Sequence, residues 1–150
     1  MLRLARLAGV ALLALVPAVA QAQPEPPTPA DPSADSVPVV AADTGEATYY
    51  HDALHNRRTA SGERMDQQAL VAAHRRYPFG TWLRVTNLRN GRSVLVRVID
   101  RGPFGSPRNM QRTIVDLSRR AASELGFVRQ GRTRVKVERL AHAPEIAERQ

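Results

Sequence analysis

The stretch that decides the fold is Trp82-Leu-Arg-Val-Thr-Asn-Leu-Arg-Asn-Gly-Arg-Ser-Val-Leu-Val-Arg-Val-Ile-Asp-Arg-Gly-Pro-Phe104. Its centre is the pair Asn90-Gly91. This pair lies between two runs of β-forming residues. Asn-Gly is the strongest short signal for a β-hairpin, because a type I′ turn needs a positive φ at both central residues. We therefore predict a hairpin with its turn centred on this pair, in which Leu83 faces Val98.

One face of the predicted hairpin is apolar. Side chains alternate along a strand, so this face carries Leu83, Val85, Val94, Val96 and Val98. Asp100 has the same parity as Val98 and stands where the breaker Arg101-Gly102-Pro103 ends the strand. We predict that its carboxylate points toward the buried side. Loss of water there would raise its pKa and suit it to proton transfer.

The first 22 residues have the pattern of a secretory signal, with Arg3 and Arg6, an apolar run over 7–16 and the small-residue site Ala20-Gln21-Ala22. An uncleaved anchor is the alternative, but the apolar run is short for a membrane span. Residues 23–44 contain six prolines and predict a disordered Pro/Ala-rich linker. The folded domain is expected at 45–140 and a flexible tail at 141–150.

The chain has no cysteine, so it offers no disulfide, no thiol nucleophile and no residue to carry a lipid. We expect a protein that is secreted across the inner membrane and stays in the periplasm or cell envelope without a lipid anchor. After signal cleavage we expect no stable membrane insertion, and a monomer.

The predicted domain is strongly basic. Residues 45–140 hold 19 Arg or Lys against 8 Asp or Glu, a net charge of +11, whereas the linker at 23–44 has four acids and no base. Such a charge favours an anionic partner. In an exported protein an anionic cell wall or outer surface is the better candidate, and nucleic acid is not expected. A solvated charged face is the alternative.

The remaining elements predict a mainly β domain. Strands are expected at 45–50, 113–117 and 133–140, and a helix over 119–125, which Asp116 or Ser118 caps and Gly126 ends. Asp116 is therefore interpreted as a cap and not as a catalyst. At least five strands and one clear helix in about 95 residues are typical of a small closed β-barrel.

Several polar residues are open to two interpretations. His51 and His55 have a metal-like spacing, but no helical pattern surrounds them, so exposed loop histidines and no metal are expected. Glu63 is a turn residue or a second acid in a cleft. His74 follows a small apolar run, which favours a structural histidine over a catalytic one. Tyr49 and Tyr50 either line a groove or cover the barrel.

The domain resembles the rare lipoprotein A (RlpA) family. The motifs that carry the resemblance are Tyr49-Tyr50, Thr59-Ala-Ser-Gly-Glu63, Ala72-Ala-His74, Pro78-Phe-Gly80, Val85-Thr-Asn-Leu-Arg-Asn-Gly91, Val98-Ile-Asp-Arg-Gly-Pro-Phe104, Ile114-Val-Asp-Leu-Ser118 and Ala121-Ala-Ser-Glu-Leu-Gly126. The resemblance implies a six-stranded double-psi β-barrel with one or two short helices. It also implies an endolytic peptidoglycan transglycosylase that prefers glycan strands without stem peptides and uses no cofactor.

By this resemblance, Asp100 is the expected catalytic acid/base, with His74 and Glu63 beside it in the cleft. Tyr50, Thr59 and Arg101 are the expected substrate-binding residues. The sequence departs from the family pattern after Tyr50, where His51 and then Leu54-His55-Asn56 stand in place of a Gly and an aromatic-His-Gly motif.

The predicted function is therefore lytic transglycosylation of the MurNAc-GlcNAc bond, which leaves 1,6-anhydro ends and remodels the cell wall. A single acid/base suffices, because the muramic C6 hydroxyl attacks its own anomeric carbon, whereas a hydrolase needs a second carboxylate. Two alternatives remain at this point: a non-catalytic, expansin-like module that binds peptidoglycan, and a basic secreted barrel that adheres to anionic envelope polymers.

Overall fold

A computed structural model describes residues 37–145, and these form a closed barrel of six strands. The strands are β1 (Val39–Tyr49), β2 (Val71–His74), β3 (Trp82–Asn87), β4 (Ser93–Asp100), β5 (Thr113–Leu117) and β6 (Thr133–Leu140). Two short helices, α1 (Pro107–Arg112) and α2 (Arg119–Glu124), flank β5, and single 3-10 turns occupy Asp52–Leu54 and Val128–Gln130. The predicted mainly β barrel with one or two short helices is confirmed.

The barrel begins earlier than the sequence analysis predicted. β1 starts at Val39, and Asp43 and Thr44 pair with Val137 and Lys136 of β6. The predicted start of the domain at 45 is therefore wrong, because Pro38 is the last proline of the predicted linker and β-forming residues follow it at once. The predicted signal peptide, residues 23–36 of the predicted linker and residues 146–150 of the predicted tail lie outside the described residues.

The strand order brings distant parts of the chain together. Around the barrel the order is β1-β5-β2-β4-β3-β6, with β1 parallel to β5 and β2 parallel to β4, while the other pairs are antiparallel. As a result β5, β2 and β4 lie side by side.

Apolar side chains of one parity fill the barrel interior. Each strand contributes to it, and the members include Ala47, Ala72, Leu83, Val85, Val96, Val98, Val115, Leu117, Val135 and Val137, with Leu125 and Phe127 closing one end. Residues of the opposite parity point outward, and we call the outward side of β1, β5, β2 and β4 the outer face. On it, Met65, Val71 and Ile99 form a small separate cluster against which Tyr50 packs.

The predicted hairpin forms, with its faces as expected and its turn different. Leu83 pairs with Val96 and not with Val98, so the register is shifted by two residues, which leaves the apolar face unchanged. Gly91 has a positive φ of 74°, whereas Asn90 does not, so the turn is not type I′. Asn90 instead bonds through its side chain to Arg92 N and Leu125 O, which holds a longer loop against the barrel end.

None of the helices within residues 37–145 is long and apolar enough to cross a membrane.

Candidate active site

A β-bulge sets the direction of Asp100. Ala72 of β2 pairs with Val98 of β4, but the next residue, Ala73, pairs with Asp100, so Ile99 is an extra residue in β4. A bulge of this kind interrupts side-chain alternation and re-aims the residues that follow it. Asp100 therefore contacts groups of the outer face, and the prediction that it points to the barrel interior by parity with Val98 is wrong.

Three donors hold the Asp100 carboxylate. The Tyr50 hydroxyl donates to Oδ2 at 2.8 Å, and the backbone N–H groups of Ala60 and Arg101 each donate to Oδ1 at 2.8 Å. Asp100 is half-buried, and these bonds fix its carboxylate. Burial raises the pKa of Tyr50 above its ordinary value, and the bond to Asp100 adds to this effect, so the phenol remains a donor at neutral pH.

The two tyrosines of the first motif therefore have different environments. Tyr49 packs against the barrel interior, meets Phe127 edge to face and donates its hydroxyl to Val128 O at 3.0 Å. Tyr50 has the opposite parity and lies on the outer face beside Asp100. Tyr50 is thus one of the three donors that orient the candidate acid, and its predicted contact with substrate stays a prediction.

Glu63 lies on a tight loop that borders the site. The loop is closed by a bridge between Arg58 and Arg64, and Ser61 N donates to Ile99 O at 3.2 Å, which ties the loop to the bulge. Glu63 accepts two bonds of 2.8 Å from the Arg97 guanidinium. This pairing lowers the pKa of Glu63, although its partial burial acts in the opposite direction. Its carboxylate side chain is 46% exposed and can reach a ligand.

Thr59 has its hydroxyl turned into the same loop. The hydroxyl donates to Glu63 O at 2.9 Å and lies 3.0 Å from Ser61 Oγ, and the residue is buried. The contacts of Thr59 shape the loop that presents Ala60 N to Asp100. Its predicted direct contact with substrate stays a prediction.

His74 is a buried member of β2. Its Nδ1 accepts from Arg76 N at 3.3 Å and Tyr77 N at 3.1 Å, and its ring stacks on Tyr77 at 4.0 Å. Burial lowers the pKa of His74, the positive charges of Arg75 and Arg76 add to this effect, and the resulting value is about 4. Within residues 37–145 no hydrogen bond joins His74 to Asp100, and its pairing with Val115 gives it the parity of the barrel interior.

Arg101 connects the histidine to the site through the backbone. Its guanidinium donates to His74 O at 3.3 Å and Tyr77 O at 3.0 Å, and it stacks on the Phe79 ring at 3.8 Å. The side chain therefore turns away from the Asp100 carboxylate, while its N–H donates to that carboxylate. Its predicted role in substrate binding stays a prediction.

Asp116 is the site residue that the sequence analysis misinterpreted. Ser118, not Asp116, caps α2, because Ser118 Oγ accepts from Ala121 N. Asp116 is part of β5 and pairs with Ala73, the same residue that pairs with Asp100 on the other side. It therefore lies on the outer face. The signal that would have found it is its strand parity, since Val115 and Leu117 on either side are interior residues.

The segment after β4 forms a wall of the site. A Cβ built on Gly102 would lie 3.9 Å from Ala73 Cβ and 3.7 Å from the Phe104 ring, so this segment passes over the floor of the outer face. Arg75 Nη1 holds the segment by donating to Pro103 O at 3.2 Å and to Thr113 O at 2.8 Å. Phe104 is 68% exposed and offers an apolar surface to a ligand.

The histidines with metal-like spacing are both exposed. Nδ1 of His51 accepts from Ala53 N, and Nδ1 of His55 accepts from Gln67 N and lies 4.0 Å from Asp66. In the described part of the chain, no three His, Cys, Asp or Glu side chains group closely enough to hold a metal ion.

Comparison with known proteins identifies the family of this chain. A family model described as lytic transglycolase matches residues 35–137. The chain belongs to this family. The predicted resemblance to the RlpA family and the predicted double-psi barrel are thereby confirmed.

Curated relatives agree with this membership in the lytic transglycolase family. Endolytic peptidoglycan transglycosylase RlpA of Neisseria meningitidis serogroup A / serotype 4A is 48% identical over 97 residues, which cover 65% of this chain and 38% of that protein. The probable endolytic peptidoglycan transglycosylase RlpA of Synechocystis sp. is 54% identical over 83 residues, which cover 55% of this chain and 24% of that protein. The chain thus spans less than two fifths of the length of these relatives.

A solved structure also shares the fold. The Streptomyces papain inhibitor superposes with a TM-score of 0.52 at 25% identity and covers 68% of this chain and 96% of its own.

Proposed function

We propose that this protein is a lytic transglycosylase that cleaves the MurNAc-GlcNAc bond of peptidoglycan glycan strands, preferably strands without stem peptides. The observation that carries the proposal is the Asp100 carboxylate, which three donors fix on an open face of the barrel. Membership in the lytic transglycolase family and the names of the relatives support the same reaction. The site of action would be the cell envelope.

The proposed reaction needs one proton-handling group. Protonated Asp100 gives its proton to the glycosidic oxygen, and the bond between that oxygen and the muramic C1 breaks. The C6 hydroxyl oxygen of the same sugar then bonds to C1, and its proton passes to the Asp100 carboxylate. The products are a 1,6-anhydro end and a free 4-hydroxyl end, and no water is consumed. Because the nucleophile belongs to the substrate, the carboxylate has to be well positioned but needs no partner to activate water.

The neighbouring residues have proposed supporting parts. Tyr50 fixes the rotation of the carboxylate, and Glu63 is exposed enough to contact the sugar or the positive charge that develops in the oxocarbenium-like transition state. For His74 we propose a positioning part, since its ring orders the turn whose carbonyls hold Arg101.

The test is the cleavage of purified sacculi from which amidase has removed the stem peptides. Wild-type protein should release fragments with 1,6-anhydro ends, identified by mass spectrometry, and Asp100→Asn should lower the rate by about 10²–10⁴-fold. Glu124→Gln, which removes an exposed carboxylate paired with Arg120 on α2, is the matched control and should cleave at the wild-type rate.

Two outcomes would contradict the proposal. Wild-type cleavage by the Asp100→Asn protein would remove Asp100 from the mechanism. Binding of sacculi without any anhydro end would favour the non-catalytic module instead.

A further inference from the structure

Phe104 differs from the other aromatic residues in the described part of the chain, because its ring is exposed and has no stacking partner. The sequence has three phenylalanines, three tyrosines and one tryptophan, and all of them lie within residues 37–145. The packed or paired rings are Tyr49 with Phe127, Tyr77 with His74, Phe79 with Arg101, Tyr50 with the cluster of Met65, Val71 and Ile99, and Trp82 with the cluster of Val37, Leu95 and Leu140. Phe104 is 68% exposed, and within the same residues its ring stacks on no other ring and on no cation.

The backbone that carries this ring is nevertheless held in place. Arg75 Nη1 donates to Pro103 O at 3.2 Å and to Thr113 O at 2.8 Å, which ties the residue before Phe104 to the start of β5. An apolar side chain stabilises a folded protein by leaving water, and the Phe104 ring remains in water. The fold therefore positions an apolar surface from which the free protein gains little stability, and such a surface is typical of a binding site.

The ring lies beside the candidate acid. A Cβ built on Gly102 would be 3.7 Å from the Phe104 ring and 3.9 Å from Ala73 Cβ. Ala73 in turn pairs with Asp100 across β2 and β4. The loop that carries Glu63 is bonded to β4 before Asp100, whereas Phe104 follows Asp100. The Glu63 loop and Phe104 therefore flank Asp100, and a strand that lies across the carboxylate meets one of them on each side.

We propose that Phe104 forms a sugar-binding subsite, in which its ring stacks on a pyranose ring of the glycan strand next to the bond that is cleaved at Asp100. The proposal rests on the proposed function, since it needs a strand that crosses Asp100. One face of a pyranose ring consists largely of C–H groups, while its hydroxyl groups project from the edge. An aromatic ring covers that face and leaves the hydroxyl groups to water and to polar neighbours, which gives binding without a charged contact. Such a neutral contact is distinct from the adhesion expected of a strongly basic domain.

The test measures binding separately from cleavage. Asp100→Asn protein is mixed with sacculi stripped of stem peptides at high salt, which screens the charge of the domain, and the free and pelleted fractions give the dissociation constant. Adding Phe104→Ala should weaken binding about 3–10-fold, as expected for one aromatic stacking contact. Adding Phe104→Tyr instead keeps the ring and should leave the dissociation constant of the Asp100→Asn protein unchanged. Leu88→Ala, which removes an exposed apolar side chain in the β3–β4 loop, is the matched control and should also leave it unchanged.

Cleavage supplies a second measurement. In the active protein, Phe104→Ala should raise the sacculus concentration needed for half-maximal release of anhydro ends by the same factor and keep the maximal rate, because the contact is present before and during the reaction. Unchanged binding by folded Phe104→Ala, equal losses in Phe104→Ala and Phe104→Tyr, or an equal loss in Leu88→Ala would overturn the inference. A wild-type protein that binds sacculi but releases no anhydro ends would refute the proposed function, while the dissociation constants would still decide whether Phe104 binds the strand.

Discussion

His74 gives a pH dependence of stability that can be measured without any substrate. In the folded protein its Nδ1 accepts from two backbone N–H groups and the residue is 4% exposed, so the ring must be neutral there. Burial, together with the positive charges of Arg75 and Arg76, lowers its pKa from 6.5 to about 4. The stabilisation is present above pH 6.5 and is lost as the pH falls through about 4. Between these two values His74 binds a proton in the unfolded chain but not in the folded chain.

The expected size follows from these two values. A difference of one pH unit corresponds to 1.36 kcal/mol, so the interval from 6.5 to about 4 corresponds to about 3 kcal/mol. This is a large part of the free energy of unfolding of a small domain, which is roughly 5–15 kcal/mol. The pKa values of Glu63 and Glu138 are lowered in the folded protein, so the stabilisation that these residues give to the folded state is lost only below pH 4.5. They therefore affect the free energy of unfolding little between pH 6.5 and about 4.

The experiment is urea unfolding followed by the fluorescence of the single tryptophan, Trp82, at pH values from 7 to 4. His74→Asn keeps a neutral acceptor near the Nδ1 position but cannot titrate. The free energy of unfolding of the wild type should fall by about 3 kcal/mol more than that of His74→Asn over this range. His55→Asn, at an exposed histidine, should remain parallel to the wild type. Parallel curves for the wild type and His74→Asn would refute the assignment of His74 as a buried neutral acceptor.

Two further substitutions test the positioning of Asp100 and the packing of β1. Tyr50→Phe removes one donor to Asp100, so the rate of release of anhydro ends should fall about tenfold, as expected for one hydrogen bond to an ionisable group. Tyr49→Phe, on the interior side, should keep the wild-type rate, and equal losses in the two variants would argue against the assigned part of Tyr50. Gly45→Ala would place a Cβ 2.7 Å from Ile114 Cγ2 and should cost about 1–3 kcal/mol in urea unfolding. Unchanged stability would show that β1 and β5 separate without strain.

The features that could be predicted from the sequence are those that depend on local residue patterns. The apolar face of the hairpin and the helix after Ser118 follow from local patterns, and both are present. The capping serine and Gly126, with a φ of 75°, are where the pattern places them.

What the sequence did not show depends on long-range pairing. The bulge at Ile99 arises because β4 must match β2, a strand more than 20 residues away, and no local signal marks an extra residue. The turn at Asn90 differs because its side chain bonds to Leu125 O at the end of α2. Asp116 was interpreted as a cap because its partners Thr48 and Ala73 come from strands whose order around the barrel the sequence does not give.

The outer face also has a consequence for biosynthesis. Its polar residues come from separate strands, and the Thr48–Asp116 bond alone spans 68 residues of chain. A nascent polypeptide that has not yet delivered β5 lacks Asp116. The surface on which the proposed reaction takes place would thus be complete only when nearly the whole domain has emerged and closed.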